Sequence, residues 1–114
     1  MIGLDQILDG LIRRTTDGKV KWRRSVRDDQ FVASVGAISV VIREQDKLLI
    51  SGIASDPAYR FEILDENGHT VEVLHSGNST VGQEKQLAEL FALARRSALN
   101  IDSVLQKLAQ GLEL

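Results

Sequence analysis

Apolar positions recur along this chain with two periods, and the change of period divides it into three parts. From Ile2 to Arg14 the residues Leu4, Ile7, Leu8, Leu11 and Ile12 are spaced by three and four. That spacing gathers them on one face of a helix and predicts an amphipathic α-helix there. Asp5 and Asp9 come early in it, and Arg13 and Arg14 late, as the helix dipole favours. Gly10 inside the pattern costs about 1 kcal/mol relative to alanine, so packing must hold the helix. Thr15-Thr16-Asp17-Gly18 ends it as a turn.

The period then shortens to two. Val20 and Trp22 alternate with Lys19, Lys21 and Arg23; Phe31, Ala33 and Val35 follow, then Ile38, Val40 and Ile42. The phase slips at Gly36, which suggests a bulge or bend in one long curved strand. Residues 44–47 form a polar hairpin tip, and Leu48, Leu49, Ile50 and Ile53 a return strand. Ser55-Asp56-Pro57-Ala58 reads as a loop. Tyr59, Phe61 and Ile63 alternate again. Asp65-Glu66-Asn67-Gly68 is the strongest turn signal, with glycine where a left-handed residue is needed, and Val71 and Val73 return from it. Five or six strands on such short links pair antiparallel.

The last third is helical. Ser79 or Thr80 suits an N-cap, and Leu87, Leu90, Phe91 and Ala94 make one stripe to about Ala98. Asn100-Ile101-Asp102 breaks it. A second stripe follows: Ile101, Val104, Leu105, Leu108 and Leu112. Helix, meander, helix, helix is the order of an α+β domain. The expected architecture is an N-terminal helix, an antiparallel five- to six-stranded meander sheet, and two C-terminal helices packed on one face. Trp22, Phe61, Leu90 and Leu105 are expected to share the core between them.

The length, 114 residues, is that of one domain spanning 1–114. There is no cysteine, which excludes disulfides, thiolate metal sites and cysteine nucleophiles. Met1-Ile2-Gly3-Leu4-Asp5-Gln6 is acidic where a signal peptide is basic, and no apolar run is long enough for a bilayer, so a soluble, cytoplasmic protein is expected. The net charge of −2 is unevenly spread. Residues 1–27 carry seven basic and three acidic side chains, and residues 28–114 seven basic and thirteen acidic.

Little of this is catalytic. His69 and His75 are six apart on one strand, roughly 20 Å, too far to share a metal. No serine sits in a nucleophile elbow, and no glycine-rich phosphate loop is present. Asp28-Asp29 and Asp65-Glu66 read as solvated turn acids, and Asp65 to Gly68 lacks the ligand spacing of a calcium loop. No catalytic set, metal site or cofactor is expected.

Two surfaces remain. Lys19, Lys21, Arg23 and Arg24 flank Trp22 and form a candidate basic patch for nucleic acid. Trp22 is in phase with Val20, however, so a core anchor with basic residues guarding an edge strand is the plainer account. Arg95 and Arg96 complement a helix end. Val32, Val41, Ile53, Leu64 and Leu74 lie off the main alternation. Of these, Val32, Val41 and Ile53, with Leu49 or its neighbour Leu48, make a candidate dimer or partner surface on the sheet face that helices leave open.

Three stretches — Thr15-x-x-Gly18-x-x-x-Trp22, Tyr59-x-Phe61-x-Ile63-x-Asp65-x-x-Gly68, and Leu87-x-x-Leu90-x-x-x-Ala94-Arg95-x-x-Ala98 — give the chain a pattern that resembles uncharacterised small bacterial α+β domains. The resemblance implies a prokaryotic domain and brings no catalytic residue. The expectation is a non-enzymatic protein–protein interaction module, homodimeric or paired with another protein. The alternatives are a nucleic-acid-associated accessory protein using the basic 13–27 segment, and a small ligand-binding or hydrolase domain.

Overall fold

The N-terminal stripe folds as α1 (Leu4–Thr16), with Leu8, Leu11 and Ile12 buried. Gln6 Oε1 accepts from the Gly3 N–H at 3.0 Å and caps its start. The computed structural model describes residues 2–27, 29–45 and 58–114. The hairpin tip beyond Gln45, the return strand with Leu48, Leu49 and Ile53, and the Pro57 loop fall outside the described residues.

Five described strands follow α1: β1 (Arg23–Arg24), β2 (Gln30–Val35), β3 (Ile38–Gln45), β4 (Ala58–Leu64) and β5 (Thr70–His75). They lie in the order β1-β2-β3-β4-β5, each antiparallel to its neighbour. Helices α2 (Val81–Leu99) and α3 (Ile101–Gly111) complete the α+β architecture. Thr80 caps α2 reciprocally: Gln83 N–H donates to Thr80 Oγ1 at 3.1 Å, and Thr80 N–H to Gln83 Oε1 at 2.9 Å.

One sheet face carries Phe31, Ala33, Val40, Ile42, Phe61 and Leu74, all buried with residues of α1 and α2 in one cluster. Phe91 of α2 stacks obliquely on Phe31 and Tyr59, with ring centroids 5.6 and 5.1 Å apart. α1 and α2 lie side by side. At one end Gln83 Nε2 and Gln86 Nε2 donate to Asp5 Oδ1 and to the Asp5 carbonyl at 2.6 and 3.0 Å. At the other, Trp22 joins both helices: its indole N–H donates to Thr15 Oγ1 and its backbone N–H to Ser97 Oγ, each at 3.0 Å.

Four details differ from the sequence reading, each for a local reason. Gly36 is no bulge. It is the first central residue of a two-residue hairpin turn that sets Val35 opposite Ile38, and its φ of 62° suits glycine there. The alternation from Lys19 to Trp22 is not ladder pairing, because the Lys19 and Val20 N–H groups donate to the Arg14 carbonyl and wrap the end of α1. Only Arg23 and Arg24 join the sheet, while Val20 and Trp22 are buried as the phase implied.

The phase of β5 is reversed. A register shift at Ile63/Leu64 sets Ile63 opposite Glu72 and Leu64 opposite Thr70, leaving Val71 as the extra residue. A one-residue slip exchanges the faces, so Leu74 enters the core beside Phe61 and Val73 sits on the far face opposite Glu62.

Leu105 does not join Trp22, Phe61 and Leu90 in the core. It is 52% exposed, and α3 has no buried residue. Asn100, left-handed at φ 53°, ends α2 and starts α3 at once, so the chain turns away before the second stripe reaches the sheet.

Candidate functional site

The far sheet face takes its composition from the register. Arg23, Val32, Val41, Glu62 and Val73 form one cross-strand row, and Gln30, Arg43, Arg60 and His75 the next. Of the proposed partner surface, Val32 and Val41 are thus direct neighbours. Val32 is half-buried, and Val41 is only 8% exposed although it lies outside the main cluster. Leu49 and Ile53 lie outside the described residues. The row is not uniformly apolar, since Arg60 Nε meets Glu62 Oε1 at 3.2 Å beside it.

The basic residues do not converge. Lys19, Lys21, Arg23 and Arg24 are all exposed, but Arg23 pairs with Val32 and Arg24 with Phe31, and consecutive strand residues point to opposite faces. Lys21 turns instead toward the α2–α3 bend. There it lines a cavity of about 540 Å³ with Thr15, Thr16, Trp22, Arg96 and Asn100. Arg96 is not a free cation in it, because its guanidinium is bonded to Asp102 of α3. Arg95 is exposed on α2.

The histidines serve local turns. Asp65 Oδ1 accepts from the Asn67 and His69 N–H groups at 2.9 and 3.0 Å and closes the β4–β5 turn, with Asp65 Oδ2 3.9 Å from His69 Nδ1. His75 Nδ1 accepts from the Gly77 N–H at 3.0 Å. Among the described residues no three His, Asp or Glu side chains gather as a metal site would require. Burial raises the Tyr59 phenol above its ordinary pKa of 10.0, and the neighbouring Glu44 carboxylate adds to that.

Two apolar features stand out, and periodicity announces only one. The first is the α3 stripe: Val104 (57%), Leu105 (52%), Leu108 (57%) and Leu112 (60%) are all exposed. The second is a groove of about 380 Å³ between α1 and the hairpin end of the sheet, lined by Ile7, Leu11, Val35, Ile38, Val40 and Ile63. Val35 and Ile38 remain 44% and 39% exposed in it. Asp5 ties α1 to α2 through Gln83 and Gln86, and Thr15 holds it to Trp22, while Ile7, Gly10, Leu11 and Arg14 of α1 line the groove. Pattern analysis along the chain has no signal for such a gap, because each lining residue is in its expected phase.

No family model, no curated protein and no solved structure matches this chain. Among the described residues no helix is long and apolar enough to cross a membrane.

Proposed function

We propose that this domain is a non-enzymatic protein–protein interaction module that works as a homodimer. The observation that carries the reading is α3, a complete amphipathic helix with no buried residue. A helix of eleven residues is marginal alone in water, so its apolar face needs a surface to fold against. Monomers seldom leave contiguous aliphatic patches open, and a two-fold pair covers one with a single self-complementary surface.

The magnitudes suit a reversible dimer. Full burial of a leucine or valine is worth about 1.5–3 kcal/mol, so covering the exposed half of each stripe residue yields about 1 kcal/mol apiece. Four such residues on each of two chains give about 8 kcal/mol, from which the entropy of association is subtracted. The receiving surface adds a comparable amount, and an association cost of about 8 kcal/mol, within the range of about 4–15 kcal/mol, leaves a micromolar equilibrium. We place the module in the cytoplasm, where a cysteine-free chain is at home.

The test is sedimentation of the chain carrying Leu108→Glu. Leu108 is exposed in the single copy, so the variant should fold normally and sediment as a monomer under conditions where the unaltered chain pairs. Identical sedimentation of both proteins as dimers would remove α3 from the interface and overturn the reading.

A further inference from the structure

The cavity under the α2–α3 bend keeps hydrogen-bond donors unspent while the acceptors around it are taken. Thr15 Oγ1 accepts from the Trp22 indole N–H and Ser97 Oγ from the Trp22 backbone N–H, each at 3.0 Å. A hydroxyl also has one proton of its own to give. Neither Thr15 nor Ser97 gives that proton to any group among the described residues, although both line the cavity. Thr15 is only 9% exposed, and a buried donor of this kind normally has an acceptor. Asn100 lines the cavity too, and its side chain makes no capping bond. The neighbouring carbonyls, by contrast, already accept: Arg13 from Asp17, Thr15 from Gly18, and Arg14 from both Lys19 and Val20. Those of Arg96 and Ser97 accept from the Asn100 N–H.

The charges lean the same way. Lys21, Arg96 and Asp102 are the charged side chains that line the cavity. Arg96 and Asp102 are bonded to each other, and Lys21 has no ion-pair partner among the described residues. One positive charge is therefore left over. The rest of the wall is apolar, formed by Val20, Leu93 and the Trp22 ring. The volume, about 540 Å³, is in the range of roughly 300–1,000 Å³ that small-molecule sites occupy.

We propose that this cavity binds a small organic monoanion, a carboxylate on an aliphatic body. The carboxylate accepts from the Lys21 ammonium, the Thr15 and Ser97 hydroxyls and the Asn100 amide, and its roughly four lone-pair sites match those four donors. The body lies along Val20, Leu93 and Trp22. Inorganic phosphate fits less well, because it carries more than one charge at neutral pH against a surplus of one, and it leaves the apolar wall uncovered. The site goes beyond the dimeric reading and is independent of it, since none of Val104, Leu105, Leu108 and Leu112 lines the cavity.

Isocaproate is the probe, with its neutral amide and inorganic phosphate as comparisons at equal ionic strength. Titration calorimetry reads the affinity, and emission of the single tryptophan, Trp22, reports on the cavity wall. The expected result is one isocaproate per chain with a dissociation constant of about 1 mM or below and a shifted Trp22 emission. The amide should bind about tenfold more weakly, because it loses the charge-assisted bonds. Lys21→Met and Asn100→Gly should each weaken isocaproate about five- to tenfold and leave the amide unaffected. Lys21 is exposed, and glycine suits the Asn100 φ of 53°, so both variants should keep the fold. Amide shifts of the unaltered chain, concentrated at Thr15, Lys21, Ser97 and Asn100 during the titration, locate the site without any variant. Equal affinity for isocaproate and its amide, tighter binding of phosphate, shifts centred elsewhere, or no binding at tens of millimolar isocaproate would each overturn the proposal. So would an affinity unmoved in both variants.

Discussion

The reversed phase of β5 makes a quantitative prediction, because adjacent residues exchange their importance. Leu74 is 3% exposed and faces Phe61 in the core, whereas Val73 is half-buried on the far face opposite Glu62. Leu74→Ala removes three carbons from a filled site and leaves a cavity, at a cost of about 3 kcal/mol. Val73→Ala removes two carbons that water already reaches in part, worth about 0.8 kcal/mol. A domain of 114 residues has roughly 6–17 kcal/mol of total stability, so both variants fold and only the first is badly weakened. Urea titration at low micromolar protein, followed by fluorescence of the single Trp22, measures both. With a slope of about 1–3 kcal/mol per molar urea, Leu74→Ala should lower the midpoint by about 1–3 M and Val73→Ala by under 1 M. A larger loss for Val73→Ala would place Val73 in the core and refute the register shift at Ile63/Leu64.

Other outcomes follow from single sites. Tyr59 is the one tyrosine, so its phenolate absorbance is unambiguous and should rise above pH 10 in the folded chain. Because its folded pKa is raised, its contribution to stability is complete below the unfolded value near 10 and is lost as pH climbs through the folded value; stability independent of pH there would contradict the burial of Tyr59. Ser79 Oγ is buried without a hydrogen-bond partner among the described residues, so Ser79→Ala should leave the urea midpoint unchanged or raise it, and a clear decrease would mean the hydroxyl is satisfied. Because Lys21, Arg23 and Arg24 do not converge, single-stranded DNA should not bind at micromolar protein near physiological salt. A salt-sensitive complex lost on changing all three to serine would restore the nucleic-acid reading.

What the sequence discloses here is what local interactions decide. The α1 stripe, the Thr80 cap and the Asp65–Gly68 turn are legible because each depends on residues within one turn of structure. β5 is misread because a single extra residue, Val71, reverses every face after it, and nothing in Val71-Glu72-Val73-Leu74 marks which valine is extra. Trp22 is recognisable as an anchor, but its partners Thr15 and Ser97 lie 7 and 75 residues away and carry no pattern of their own. The α3 stripe shows that a covered face is wanted without naming the cover. The groove is not written in any one segment, since it forms only where α1, the Gly36 hairpin and Ile63 meet.

Light scattering of the unaltered chain over a concentration series tests the central claim most directly. The account predicts a weight-average mass that rises from 12.6 kDa toward twice that value through the micromolar range, and that stays at the monomer value when Leu108 is replaced by glutamate. A constant mass of 12.6 kDa up to hundreds of micromolar, with no dye bound to exposed apolar surface, would contradict it.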